Sequence, residues 1–473
     1  MEKYDLLVLG GGAGGLVTAA GAASLGAKVA LIDKNELGGD CLWSGCVPTK
    51  SLIHSAKQVQ AARRAADFQL EVRGKPDFSL AHQRLHQAIQ TIRTHDDPNR
   101  FRKMGVDVYQ GAGVFQSPHE IQTGDDRRIW GKRIVIATGS RPVVPKIEGL
   151  EESGYLTNES ALQLKVLPSS LLIAGGGPIG LEFAQVFARF GVEVTVVEMA
   201  PDILIREDPE LIPYVKRALK REGIQFLTKT KVTGVQEKGS RKEITVDQDG
   251  SVRKFTVDEV MIAAGRKPNT ETLQLDRAGV RTERGAIQVN PYLQTSRRHI
   301  YAIGDVIGRF PFTHAAGYEG KTVVAHAVLG LRRKVTYDHL PWVTYTDPEV
   351  FHMGLTESEA REKYGKIRVY KTDLSQVDRF VTEHAAEGLI KIVTNRKGTI
   401  LGAHAVGPGA GDWMQEVVFA ARYGHKIGDL SQAVVPYPSR AAAVQQTADQ
   451  YWRETLFSGW LPKLTKRYLR WFR

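Results

Sequence analysis

Cysteine is the scarcest reactive residue in this chain: two in 473 residues, Cys41 and Cys46, with four residues between them. So few thiols exclude a disulfide framework and make the reducing cytoplasm the expected compartment. Long apolar runs are also missing, since none approaches the roughly 20 residues that a membrane-spanning helix needs. The apolar stretch at residues 6–9 is too short for a secretory signal and lacks a basic leader, so a buried strand is the better reading. His54, His86 and His95 have no carboxylate or cysteine at ligand spacing, and no metal site is expected. The formal charge is +12, which suits nucleic acid, anionic lipid or an anionic cofactor. Six Lys/Arg against one Glu lie between Tyr451 and Arg473. The excess is thus concentrated at one end, and no nucleic-acid partner is expected.

Glycine is plentiful where it matters. Residues 4–9 predict a buried strand, then Gly10, Gly12 and Gly15 spell G-x-G-x-x-G before a small-residue helix over 16–25. A second strand over 28–32 ends in Asp33, whose carboxylate can accept from ribose hydroxyls. Glycines in this arrangement let the backbone approach a pyrophosphate at a helix N-terminus. The same unit occurs again: a strand over 171–174, then Gly175, Gly177 and Gly180, a helix over 181–190, and a strand over 194–197 ending in Glu198. A carboxylate at that position bonds a free 2′-hydroxyl and repels a 2′-phosphate, so NADH is favoured over NADPH, with Arg206 downstream softening the preference.

The two cysteines stand between these units, in Gly38-Gly39-Asp40-Cys41-Leu42-Trp43-Ser44-Gly45-Cys46-Val47-Pro48-Thr49-Lys50, and read as a redox pair. Helices are expected over 51–66 and 81–94. Short buried strands ending in turns are expected at 134–140, with Thr138 and Gly139, and at 261–266, with Gly265. The strand and turn at 300–305 bring Gly304 and Asp305, suited to holding a cofactor's polyol chain. Past about residue 337 no glycine fingerprint remains. Strand-like stretches at 342–345, 367–371, 388–394 and 400–406, with helices near Met414 and Leu430, read as an α+β domain that packs rather than binds nucleotide.

Together these motifs resemble the flavin-dependent pyridine nucleotide–disulfide oxidoreductases, the family of dihydrolipoamide dehydrogenase, glutathione reductase and mercuric reductase. The likeness runs from Tyr4 to about Ala448. It rests on the two glycine fingerprints, the cysteine stretch, Ala137-Thr-Gly-Ser140, Ala264-Gly-Arg-Lys-Pro-Asn269 and Ile303-Gly-Asp305. It implies an α/β fold of two Rossmann-like domains, binding FAD and NAD(P), plus a C-terminal α+β dimerisation domain and a homodimer. The division implied is 1–145 and 269–337 for FAD, 146–268 for NAD(P), 338–450 for dimerisation and 451–473 for a tail. Electrons would pass from nicotinamide through flavin to a Cys41–Cys46 disulfide. By the same resemblance Cys46 is the charge-transfer thiolate, Cys41 the interchange thiol, Lys50 the lysine near the flavin and Glu182 its ion-pair partner.

The pattern breaks at the C-terminal motif. Lipoamide and glutathione reductases carry a His-Pro stretch with a glutamate five residues on. Here Tyr437 replaces the histidine and Ala442 the glutamate, and a phenol with a pKa near 10 is a poor base at neutral pH. Tyr437 matches the mercuric reductases, yet no cysteine lies beyond Cys46 to deliver a metal inward. The expected function is therefore an FAD-dependent NAD(P)H oxidoreductase passing electrons through the cysteine pair to an unidentified disulfide or metal-thiol acceptor. Two alternatives stand beside it: a membrane-associated NADH:quinone-type dehydrogenase and a non-catalytic flavoprotein redox sensor. The tail keeps the first of these open. From Pro462, residues Leu464, Tyr468, Trp471 and Phe472 share one helical face opposite Lys463, Lys466, Arg467, Arg470 and Arg473. Such a helix suits either an anionic membrane on the inner face or packing against the dimer.

Overall fold

Unbroken apolar runs make strands that are buried on both faces, and the first sheet is assembled from them. β1 (Glu2–Leu9) carries Leu6, Leu7, Val8 and Leu9, all buried. It lies parallel between β2 (Val29–Asp33) and a long strand, Arg128–Ile136, with Leu6 opposite both Val29 and Arg133. A strand at Val106–Gln110 pairs with the far side of β2, and Ile300–Ala302 pairs with Ile134–Ile136. The helix α1 (Ala13–Ser24) joins β1 to β2. The computed structural model describes residues 1–457 and 461–471 of the chain.

By internal contacts the chain separates into two compact units. The first comprises Met1–Gly175, Val186–Val197 and Thr230–Thr336. Besides the sheet just described it holds three parallel strands: Ser170–Ala174 flanked by Glu193–Val197 and Glu259–Ile262. It also holds an antiparallel meander, Thr230–Lys238, Arg241–Gln248 and Ser251–Val257. The sequence reading missed this meander. Its second hairpin turns at Asp249-Gly250, both at positive φ, a dipeptide that marks a tight β-turn between alternating strands.

The second unit comprises Gly176–Gln185, Glu198–Lys229 and Tyr337–Arg473. Its five-stranded sheet is antiparallel, in the order Pro341–Thr344, Glu349–Gly354, Ile400–Gly407, Leu389–Asn395, Ile367–Asp373. Phe351, Ile390, Ile392 and Ala403 face a core shared with Met414, Val417 and Val444. The segment after Glu198 is tied in by buried ions: Lys391 Nζ reaches Asp208 at 2.9 Å, Glu210 at 3.0 Å and Glu357 at 2.8 Å. Trp342 Nε1 and His352 Nδ1 meet the two oxygens of Glu207 at 2.8 and 3.0 Å.

One boundary differs from expectation with consequence. The helix expected to begin at residue 51 begins at the second cysteine: α2 spans Cys46–Arg63. Pro48 suggests a break, but a proline in the first helical turn lacks only an N–H that would have no intrahelical partner. No helix among the described residues is long and apolar enough to cross a membrane. Phe472 and Arg473, expected on opposite faces of the tail helix, lie outside the described residues.

Candidate active site

The first glycine turn shows why its residues are small. A Cβ on Gly10, at φ +107°, would strike the Ala137 carbonyl oxygen, and one on Gly15 would strike the Gly10 carbonyl. At Gly12, the N-cap of α1, a Cβ would meet nothing nearer than Gly39 Cα at 3.8 Å. The helix N-terminus carries no side-chain cap and no acid in its first turn. Its unsatisfied N–H groups form a cradle for an anion. Asp33 closes the turn: its Oδ2 accepts from Gly11 N–H and its Oδ1 from Asn35 N–H at 2.7 Å. Burial pushes its carboxyl pKa above the usual range. Open cradle and neighbouring carboxylate together fit the pyrophosphate and ribose of a dinucleotide.

Two turns far apart in the sequence meet in space. Ser140–Pro142 pairs antiparallel with Arg266–Pro268. Thr138 Oγ1 donates to the Asn269 carbonyl at 2.8 Å, and Asn269 N–H donates to the Gly139 carbonyl at 2.9 Å. Arg266, next to Gly265, donates to Ser140 Oγ at 2.8 Å, and Ser140 in turn donates to Asp305 at 2.5 Å. Burial raises the Asp305 pKa. Gly304 N–H donates to Glu319 at 2.6 Å, a carboxylate almost wholly buried on the helix Thr313–Ala327. Sequence reasoning missed Arg266 and Glu319. Arg266 stands in the sequence only as one letter of a motif, and Glu319 has the pattern of any helical acid.

Cys41 is half-buried in the short helix Gly39–Trp43, and Cys46 is the more exposed of the pair, at the first position of α2. Both are free thiols and they hydrogen-bond to each other. They are not equivalent. The hydrogen bond from Cys41 brings the Cys46 pKa down to about 6, helped by Thr313, whose Oγ1 is 3.4 Å away, and by the Lys50 charge. Burial and Asp40 work against this. The same hydrogen bond, then burial, push Cys41 far up. These surroundings favour the proton on Cys41 and the negative charge on Cys46, as expected for a thiol at a helix N-terminus. Asp40 is held beside this loop by Ser44 at 2.8 Å and Arg266 at 3.3 Å.

In the second glycine turn, Gly175 is at φ +129°, and a Cβ there would strike the Ala263 carbonyl. In the second unit, Gly176 N–H and Ala200 N–H both donate to Glu198, each at 2.7 Å. Gly177 has no atom within 4 Å of where a Cβ would stand, and Gly180 is buried on the helix Pro178–Arg189. Glu182 is buried and accepts from Tyr345 N–H at 3.0 Å. Tyr437 is 80% exposed, and its hydroxyl donates to Asp378 at 2.8 Å, which raises the phenol pKa further. Asp378, another partner that the sequence reading missed, is 59 residues away along the chain.

Thus Gly10, Gly12, Gly15, Asp33, Cys41, Cys46, Lys50, Thr138, Gly139, Gly175, Gly265, Gly304 and Asp305 lie in the first unit, and Gly177, Gly180, Glu182, Glu198 and Tyr437 in the second. The family model described as pyridine nucleotide-disulphide oxidoreductase matches residues 4–320, and that of its dimerisation domain matches residues 340–448. The chain is 34% identical over 466 residues to dihydrolipoyl dehydrogenase of Bacillus subtilis, covering 94% of this chain and 97% of that protein. It is also 34% identical over 449 residues to a mercuric reductase of Staphylococcus aureus, covering 94% and 82%. Among solved structures it is similar to the Cu(II) complex of the HOCl-induced flavoprotein disulfide reductase RclA from Escherichia coli. That similarity has a TM-score of 0.85 at 28% identity over 95% of this chain and 100% of the other.

Proposed function

The chain belongs to the FAD-dependent pyridine nucleotide–disulphide oxidoreductases, and from that premise we propose that it is an NADH-driven reductase working through Cys41 and Cys46 on a disulfide or metal-thiol acceptor. The carrying observation is the placement of the two thiols: they hydrogen-bond to each other, with Cys46 at the first position of α2 and 3.4 Å from Thr313 Oγ1, surroundings that favour the thiolate at Cys46 and the proton on Cys41. FAD, when bound, supplies the two-electron carrier between nicotinamide and dithiol. The α1 N-terminus holds its pyrophosphate, Asp33 its ribose hydroxyls, and Gly304 with Asp305 its polyol chain. Thr138, Gly139 and Gly265 shape the turns beside it. Gly175, Gly177, Gly180 and Glu198 hold the nicotinamide dinucleotide, and Glu198 selects NADH by repelling a 2′-phosphate. Lys50 keeps a positive charge near Cys46.

With a disulfide acceptor the exchange balances as follows. Cys41, losing its proton, attacks one acceptor sulfur; the acceptor S–S bond breaks and one thiol leaves carrying that proton. The Cys46 thiolate then attacks Cys41 Sγ, releasing the second acceptor thiolate and forming the Cys41–Cys46 disulfide. NADH supplies the electron pair that opens this disulfide for the next cycle. The Tyr437 hydroxyl, donating to Asp378, cannot take a proton at neutral pH, so the favoured acceptors are those whose leaving sulfur is stable as a thiolate or is bound to metal. The dimerisation domain supports a homodimer as the working assembly.

The test is anaerobic NADH titration, then turnover with lipoamide, glutathione disulfide, coenzyme A disulfide, Hg(II) and quinones, for the native chain and for Cys41→Ser. Loss of disulfide or metal-thiol turnover in Cys41→Ser supports the reading. Quinone reduction at full rate in that variant, with no turnover of the other acceptors by the native chain, overturns it in favour of the quinone-type dehydrogenase.

A further inference from the structure

We propose that the helix α3 (Leu461–Arg470) is a docking surface for an anionic lipid bilayer. Two helices of the second unit share one sequence pattern and meet different fates. Ile212–Arg221 sets Ile212, Val215 and Leu219 on one face and four basic residues around it. Its three apolar residues are buried, and three of its four cations are matched: Lys216 with Asp202 at 2.7 Å, Arg221 with Glu387 at 2.7 Å and Arg217 with Glu387 at 3.6 Å. α3 sets Leu461, Leu464 and Tyr468, continued by Trp471, on one face, and Lys463, Lys466, Arg467 and Arg470 on the other. None of its residues is buried; Leu464 is 50%, Leu469 51% and Trp471 90% exposed. Among the described residues none of its four cations forms an ion pair.

Charge selects the occupant. No acidic residue lies beyond Glu454. A second copy of the helix would face its own cations, and like charges across a face oppose pairing. Anionic headgroups complement them, while Leu464, Tyr468 and Trp471 enter the acyl boundary. Tyrosine and tryptophan are the rings that settle at that level. Ten residues extend about 15 Å at the usual rise, half the hydrocarbon thickness of about 30 Å, so the helix lies in the interface plane.

The flavin-loaded full chain is sedimented with vesicles of about one-third phosphatidylglycerol in phosphatidylcholine, and with phosphatidylcholine alone. The expected result is at least about tenfold more binding to the anionic vesicles, abolished by about 0.5 M salt through screening. Lys463→Glu with Arg467→Glu should lower it about tenfold at unchanged NADH-dependent turnover and unchanged flavin content. Equal binding to both vesicles, or undiminished binding by the double variant, overturns the proposal. So does dissociation of the homodimer, by light scattering, when residues 458–473 are removed, because the helix then belongs to dimer packing.

Discussion

At the first glycine turn a Cβ on Gly10 would strike the Ala137 carbonyl, and at the second a Cβ on Gly175 would strike the Ala263 carbonyl. Asp33 clasps Gly11 and Asn35, and Glu198 clasps Gly176 and Ala200, in the same two-handed way. At the next fingerprint glycines a Cβ on Gly177 would meet no atom within 4 Å, and one on Gly12 only Gly39 Cα at 3.8 Å. Beyond the acid the two turns diverge. After Asp33 the chain runs directly to the redox loop, where Trp43 Nε1 donates to the Leu37 carbonyl at 2.9 Å. After Glu198 it enters a segment held by Lys391 and its three carboxylates. Identical local demands produce identical turns, and what each turn serves depends on what is built after it.

The largest break is expected at that divergence. Lys391→Ala leaves Asp208 buried with no cation, which should cost about 3–5 kcal/mol. Denaturant unfolding measures it, and a loss below about 1 kcal/mol would mean the ions do not anchor the segment. Gly15→Val pushes a side chain into the Gly10 backbone and should cost about 3 kcal/mol. It should also strip the flavin, which the visible absorbance of the purified protein reports; full flavin content would refute the close approach.

Glu198→Ala tests the acid itself. The ratio of kcat/KM for NADH over NADPH should fall about tenfold, or about 1.4 kcal/mol, and an unchanged ratio would remove Glu198 from cofactor choice. On the redox side, alkylation of reduced enzyme by iodoacetamide should follow a midpoint near the Cys46 value of about 6. A cation favours the anion, so Lys50→Met should move the midpoint up, whereas Asp40→Asn, removing a like charge, should move it down. Movement of both in one direction would contradict the electrostatic account. The smallest effect on stability is expected at Gly177→Ala: less than about 1 kcal/mol, since no protein atom is displaced. KM for NADH should nevertheless rise, because the added methyl occupies the open space; an unchanged KM would place the dinucleotide elsewhere.

Much of the site was legible because its demands are local. The glycine spacings, the acids at strand ends and the cysteine stretch are read residue by residue, and the helices and strands near them fall within a few residues of expectation. Asp378, Glu319 and the link from Arg266 through Ser140 to Asp305, itself an expected site residue, were not legible. Each is an ordinary polar residue until a partner up to 165 residues away is brought against it. The start of α2 at Cys46 was also missed: the helix was expected only from residue 51, although a proline at position 48 is tolerated in a first turn.

The two basic amphipathic helices mark the limit. By itself the sequence determined that the tail helix would carry an apolar stripe opposite cations, and the helix Ile212–Arg221, not expected from sequence, shares that pattern, because helical period alone sets which residues share a face. It likewise determined both nucleotide turns, because only glycine allows that backbone approach. Only the tertiary structure decided that Ile212–Arg221 buries its stripe and meets Asp202 and Glu387 while the tail helix keeps its stripe in water. It also decided that the surroundings favour the proton on Cys41 and the charge on Cys46. Burial and charge pairing depend on what the rest of the chain brings close, and no stretch of sequence contains its own neighbours.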